Sequence, residues 1–90
     1  MTVFDTSSLQ TETLISLSEA AKFYQERTGR RPSSSTIFRH ARRGILARSG
    51  ERIKLNHVRV GGRILTSREA VERFWAELAD ADASHFDATN

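Results

Sequence analysis

Among its 90 residues the sequence has no cysteine, one proline and one tryptophan. Without cysteine there are no disulfides, no thiolate chemistry and no cysteine-ligated zinc, which fits a reducing compartment. No apolar run approaches the roughly 20 residues that a membrane-spanning helix needs. The opening stretch MTVFDTSSLQTET has neither a basic n-region nor an apolar core, so no secretory signal is read there and the expected location is cytoplasmic. Histidine is sparse too. His40, His57 and His85 stand far apart, none in H-x-x-x-H or beside carboxylates at ligand spacing, so no metal is expected. G-x-S-x-G, Walker A and G-x-G-x-x-G are all missing, and Glu69 and Glu72 sit beside Arg68 and Arg73 as a solvated helix face. No enzyme activity, cofactor or small-molecule ligand is expected.

Acid is what the middle of the chain lacks. All 14 basic residues fall within residues 16–75, against five acids there, a local charge of +9 where the whole chain has +3. From Arg27 to Arg63 there are eleven bases and one acid, Glu51. Twelve of the 14 bases are arginine, whose planar fork matches phosphate oxygens and guanine edges better than a lysine ammonium does. A basic block of this density attracts polyanions, of which nucleic acid is the commonest.

Three helical patterns and one hairpin lie between polar ends. Ser16-Leu17-Ser18-Glu19 is a capping box, followed by Leu17, Ala20, Ala21 and Tyr24 on one face and a stop at Gly29. Pro32 biases Arg31 away from helical angles, and Ser33 is a natural N-cap. A second helix is therefore expected over about 34–43, ending at Gly44, with Ile37 and Ala41 inward and Ile45-Leu46 joining the core. The stretch HVRVGGRILT reads as a hairpin turning at Gly61-Gly62, with Val58 opposite Leu65, Arg59 opposite Ile64 and Val60 opposite Arg63. Ile53 and Leu55 are candidates for a further short strand, with a bend near Asn56-His57. A last helix opens at Thr66 or Ser67, Thr66-Ser67-Arg68-Glu69 being a second capping box, and Val71, Phe74, Trp75 and Leu78 form its apolar stripe.

The order helix, turn, helix, hairpin, helix implies a mainly α fold with a small β-hairpin, a winged helix-turn-helix. Residues 1–14 read as a flexible arm, 15–79 as the domain and 80–90 as a flexible acidic tail.

ISLSEAAKFY followed by SSSTIFRHARRGIL resembles winged-helix DNA-binding domains of the excisionase and MerR type. That group commonly begins with an E-A-A helix and continues with a T-[LI]-x-R-x-x-x-x-G recognition helix, whose spacing Thr36-Ile37-Phe38-Arg39 through Gly44 matches. The turn after the first helix is longer and more basic than the usual one, and a full MerR-type sensor is not expected, since no long helix or effector domain follows in the 90 residues. LISLSEAA…STIFRHARRG…VRVGGRILTSREAVERF, over about residues 14–78, is also similar to a family of short uncharacterised bacterial proteins, a domain of unknown function.

The expected partner is double-stranded DNA, with a role in transcription regulation or an excisionase-like architectural task. Ser34, Ser35, Arg39 and His40 are expected nearest the bases. Arg31, Thr36, Arg42 and Arg43 are expected to hold phosphates, and Arg59 and Arg63 in the wing to grip the adjacent strand. A domain this small makes few contacts, so a homodimer or a cooperative array on DNA is expected. The alternative from another class is a protein-interaction adaptor whose basic face docks an acidic partner. RNA binding is weaker, because Phe38 is the sole candidate for an exposed aromatic platform.

Overall fold

The computed structural model describes residues 11–89, with side chains placed as far as Ala83. Residues 1–10, most of the expected N-terminal arm, lie outside the described residues. Among the described residues, three helices and two small antiparallel sheets make up the fold.

Helix α1 (Leu17–Thr28) begins where its capping box predicts. The Glu19 amide donates to Ser16 Oγ at 3.1 Å, and the Ser16 amide donates to Glu19 Oε1 at 3.3 Å. It ends at Gly29, whose φ of +81° lets its N–H reach the Gln25 carbonyl. Helix α2 (Ser34–Arg42) is capped by Ser33, which accepts from the Thr36 amide. Helix α3 (Arg68–Thr89) starts one residue later than a Thr66 cap would put it. Ser67 Oγ accepts from the Ala70 amide at 2.9 Å, whereas Thr66 Oγ1 is spent on the Asn56 carbonyl at 2.7 Å. Both side chains are fully buried, and each has a partner there.

Helix α3 also runs on through most of the stretch expected as an acidic tail. Alanine, the strongest helix former, recurs at 79, 81 and 83. Ala81 is buried, and the Asp82 carboxylate accepts from the Arg48 amide at 2.8 Å. At the other end Glu12, inside the expected arm, is held in place. It accepts from Ser67 Oγ at 2.5 Å and from Arg73 Nη1 at 2.6 Å.

The sheets are where the structure adds most. The hairpin of β4 (Val58–Val60) and β5 (Arg63–Thr66) has the expected register. Gly61 and Gly62 at its turn both take positive φ, as a two-residue primed turn requires. A third strand, β1 (Ile15–Ser16), pairs with the far edge of β5, Ile15 opposite Thr66. Ile53 does lie in a strand, β3 (Arg52–Ile53), but it pairs with β2 (Ile45–Leu46) in a separate sheet. Ile45 is half-buried against the core. Leu46, expected to join it, is 59% exposed because strand alternation turns it outward.

The core gathers Ala20, Phe23 and Tyr24 of α1, Ile37 and Ala41 of α2, Leu55, and Val71 and Phe74 of α3. Aromatic rings fasten the helices together. Phe23 stacks on Trp75 at 5.7 Å between centroids, and Tyr24 meets Trp75 edge-on at 5.0 Å. No helix among the described residues is long and apolar enough to cross a membrane.

Candidate functional site

Helix α2 presents two unlike faces. Ile37 and Ala41 are fully buried beneath it, while Ser34, Ser35, Phe38, Arg39, Arg42 and Arg43 are exposed. No acid lies in α2, so nothing on the helix itself neutralises its arginines. Ser34, Ser35 and Arg39 do come together. With Leu17 and Phe38 they line an open concavity of about 600 Å³ between the start of α1 and the outer face of α2. Phe38 is 41% exposed, and the Arg42 guanidinium lies 5.8 Å from the centre of its ring. Phe38 and Arg42 are one helical turn apart, so the guanidinium lies along the helix surface beside the ring.

Two expected contacts are removed from the exposed set. His40, expected nearest the bases, is turned toward the core. It is half-buried, with Nδ1 3.1 Å from the Tyr24 hydroxyl and its ring 5.4 Å from Phe74. Three residues after Ile37 and one before Ala41, it belongs to the inward stripe of the helix. Burial, and secondarily the charge of Arg39, lowers its pKa from the ordinary value of 6.5. Thr36, expected on a phosphate, is half-buried in the cap instead, with Oγ1 3.0 Å from Ser33 Oγ.

Arg31 is exposed in the turn ahead of α2, and Arg59 and Arg63 are exposed on the hairpin. The register sets the hairpin pair on opposite faces. Arg63 lies opposite Val60 on the side that carries Val58 and Leu65, whereas Arg59 shares the other side with Ile64. They straddle the ribbon and do not form one clamp. Arg43 closes α2, and its carbonyl accepts from Arg52 Nη1 at 3.2 Å. Arg52 and Lys54 therefore stand beside Arg42 and Arg43, although the sequence places them in no site. Their position follows from the β2–β3 pairing, and two-residue strands leave no periodicity to detect. Among the described residues no group of three or more His, Cys, Asp or Glu side chains could hold a metal ion.

The class defined by this geometry is a small three-helix domain with two minor sheets and an acid-free, arginine-bearing second helix. Residues 17–78 match the family described as Protein of unknown function (DUF1580), and the chain belongs to that family. Neither the curated proteins nor the solved structures give a match.

Proposed function

We propose that this domain binds double-stranded DNA as a winged helix-turn-helix, with α2 as the recognition helix in the major groove and the β4–β5 hairpin as the wing. The observation that carries this reading is the exposed face of α2. Serine hydroxyls at its first turn give way to Arg39, Arg42 and Arg43 without one acid among them. Small residues at the N-terminus let base edges and phosphates approach the free amides and the positive end of the helix dipole. Ser34, Ser35 and Arg39 face the bases, and Arg31, Arg42 and Arg43 hold backbone phosphates. Arg59 and Arg63, on opposite faces of the wing, contact different phosphates. Two copies, or a cooperative array, supply the contact area that one domain of this size lacks. The biological task is transcription regulation or excisionase-like shaping of DNA.

A second reading has its own observation. The concavity around Leu17 and the exposed Phe38 is mostly apolar and rimmed by Arg39. An acidic peptide with one apolar anchor suits it, which would make the domain a protein-interaction adaptor. Titration of the isotopically labelled protein with mixed-sequence duplex DNA at about 50 mM salt separates the two. DNA binding shifts the amides of residues 33–44 and 59–63. Unmoved amides there overturn the DNA reading and leave the adaptor. The same titration with single-stranded RNA tests the RNA alternative.

A further inference from the structure

Lys54 stands half-buried between two shallow clefts at the far end of α2. One, of about 400 Å³, is lined by Arg43, Arg52 and Lys54. The other, of about 390 Å³, is lined by Ala41, Arg42, Lys54 and His57. Four basic side chains thus converge from two separate segments of chain. The salt bridges Arg27–Glu72 and Glu12–Arg73 involve other side chains, and among the described residues no carboxylate pairs with any of the four. Glu51 precedes Arg52 in the chain but lines a different cleft with Glu77 and Asp80.

The backbone fixes this convergence. The Leu55 amide donates to the His40 carbonyl at 3.0 Å, which ties the segment after β3 to the last turn of α2. Gly44 lets β3 pass close by, since a Cβ there would collide with the Ile53 carbonyl. The helix's carbonyl end favours cations, and that accounts for Arg52 folding onto the Arg43 carbonyl. It does not account for Lys54 and Arg42 gathering around the second cleft, where like charges repel one another until an anion enters.

We infer that the surface around Lys54 is a second phosphate-binding locus, which takes the DNA backbone beyond the stretch that the first turn of α2 faces. This inference rests on the DNA reading above. Guanidinium and ammonium groups around shallow, open clefts offer donors without a matching set of acceptors. They suit phosphate oxygens, and their contribution is independent of base sequence.

The test compares the wild-type protein with the Arg52→Gln, Lys54→Gln double variant on two unrelated duplexes, between about 50 and 200 mM salt. The expected result is an equal loss on both duplexes, of about tenfold or more at the lower salt. The slope of log K against log salt falls by about 1–2 units, near 0.9 for each phosphate that is no longer neutralised. The charge-keeping pair Arg52→Lys, Lys54→Arg retains the slope. Lys54→Gln alone, outside the β2–β3 strands, is the second variant should the double substitution loosen that sheet; it is expected to lower the slope by about 1 unit. Unchanged slopes in folded variants, with the wild-type protein binding DNA, overturn this locus and leave the function reading intact. A wild-type protein that binds no DNA overturns both.

Discussion

The Tyr24 hydroxyl lies 3.1 Å from His40 Nδ1, joining the first helix to the helix whose outer face carries the arginines. Burial pushes the Tyr24 pKa up to about 12, so the phenol keeps its proton and is able to donate to Nδ1. The tautomer that receives this bond is the neutral imidazole with its proton on Nε2. Burial lowers the His40 pKa below its ordinary 6.5, so an unfolded chain takes up a proton that the folded one refuses. The stability tied to this group is complete above pH of about 6.5 and is lost as pH falls through the lowered folded value. Urea unfolding from pH 8 to 5 is expected to show that decline, and His40→Gln to flatten it. Tyr24→Phe, which orphans Nδ1, is expected to cost about 1–2 kcal/mol at pH 8. An equal pH dependence in wild type and His40→Gln would assign the decline to other groups.

Gly44 gives a second prediction, because two constraints coincide there. Its φ is +77°, and a Cβ would collide with the Ile53 carbonyl oxygen and sit 2.9 Å from the carbonyl carbon. Gly29 has a similar φ of +81° with nothing within 4 Å of a Cβ. Gly29→Ala should therefore cost only the left-handed strain, about 1–2 kcal/mol. Gly44→Ala should add steric displacement of β3, for a total of about 3 kcal/mol or more. Chemical denaturation of the two variants checks this. Equal losses would mean that β3 yields freely.

Much of the frame was legible because its signals are local. The Ser16–Glu19 capping box, the glycine stop at Gly29, the Gly61-Gly62 turn and the stripe Val71, Phe74, Trp75 and Leu78 each read out within a few residues. What stayed hidden depends on partners distant in sequence. β1 is two residues long and exists through pairing with β5, and β2 and β3 exist through pairing with each other. Thr66 looked like a cap until Asn56 claimed its hydroxyl. In the candidate site, composition made the arginines visible. The inward turn of His40 required knowing where Tyr24 and Phe74 would lie. Arg52 and Lys54 became part of the basic surface only once the second sheet had folded against the end of α2.

The proposed interface predicts a graded response among arginines. Arg39→Ala, beside the serine-lined turn, is expected to weaken DNA binding by about 1–3 kcal/mol and to relax sequence preference. Arg63→Ala and Arg59→Ala should each weaken binding on all sequences alike and lower the salt slope by about 1. Arg27→Ala is the control, since that side chain already pairs with Glu72 at 2.8 Å. Fluorescence anisotropy across a salt series distinguishes these outcomes. A loss for Arg27→Ala equal to that for Arg39→Ala would reduce the interface to a diffuse positive field.

Glu12 supplies the last prediction, at the junction of the N-terminal segment with α3. Its carboxylate takes Arg73 Nη1 at 2.6 Å and the Ser67 hydroxyl at 2.5 Å, while Ser67 Oγ accepts from the Ala70 amide. One serine oxygen thus caps α3 and anchors the chain ahead of β1. The hydrogen bond from Arg73, outweighing the effect of burial, holds the Glu12 carboxyl below its ordinary 4.5. The stability it contributes is present above pH of about 4.5 and is lost as pH falls through the lowered value. Glu12→Gln is expected to destabilise the domain by about 1–3 kcal/mol at neutral pH and to remove the part of the acid transition that belongs to this carboxyl. Ser67→Ala should cost about 1–2 kcal/mol through the lost cap. Because the two share one hydrogen bond, the double variant should lose less than the two single losses combined. Strict additivity in that cycle would mean that Glu12 acts through Arg73 alone.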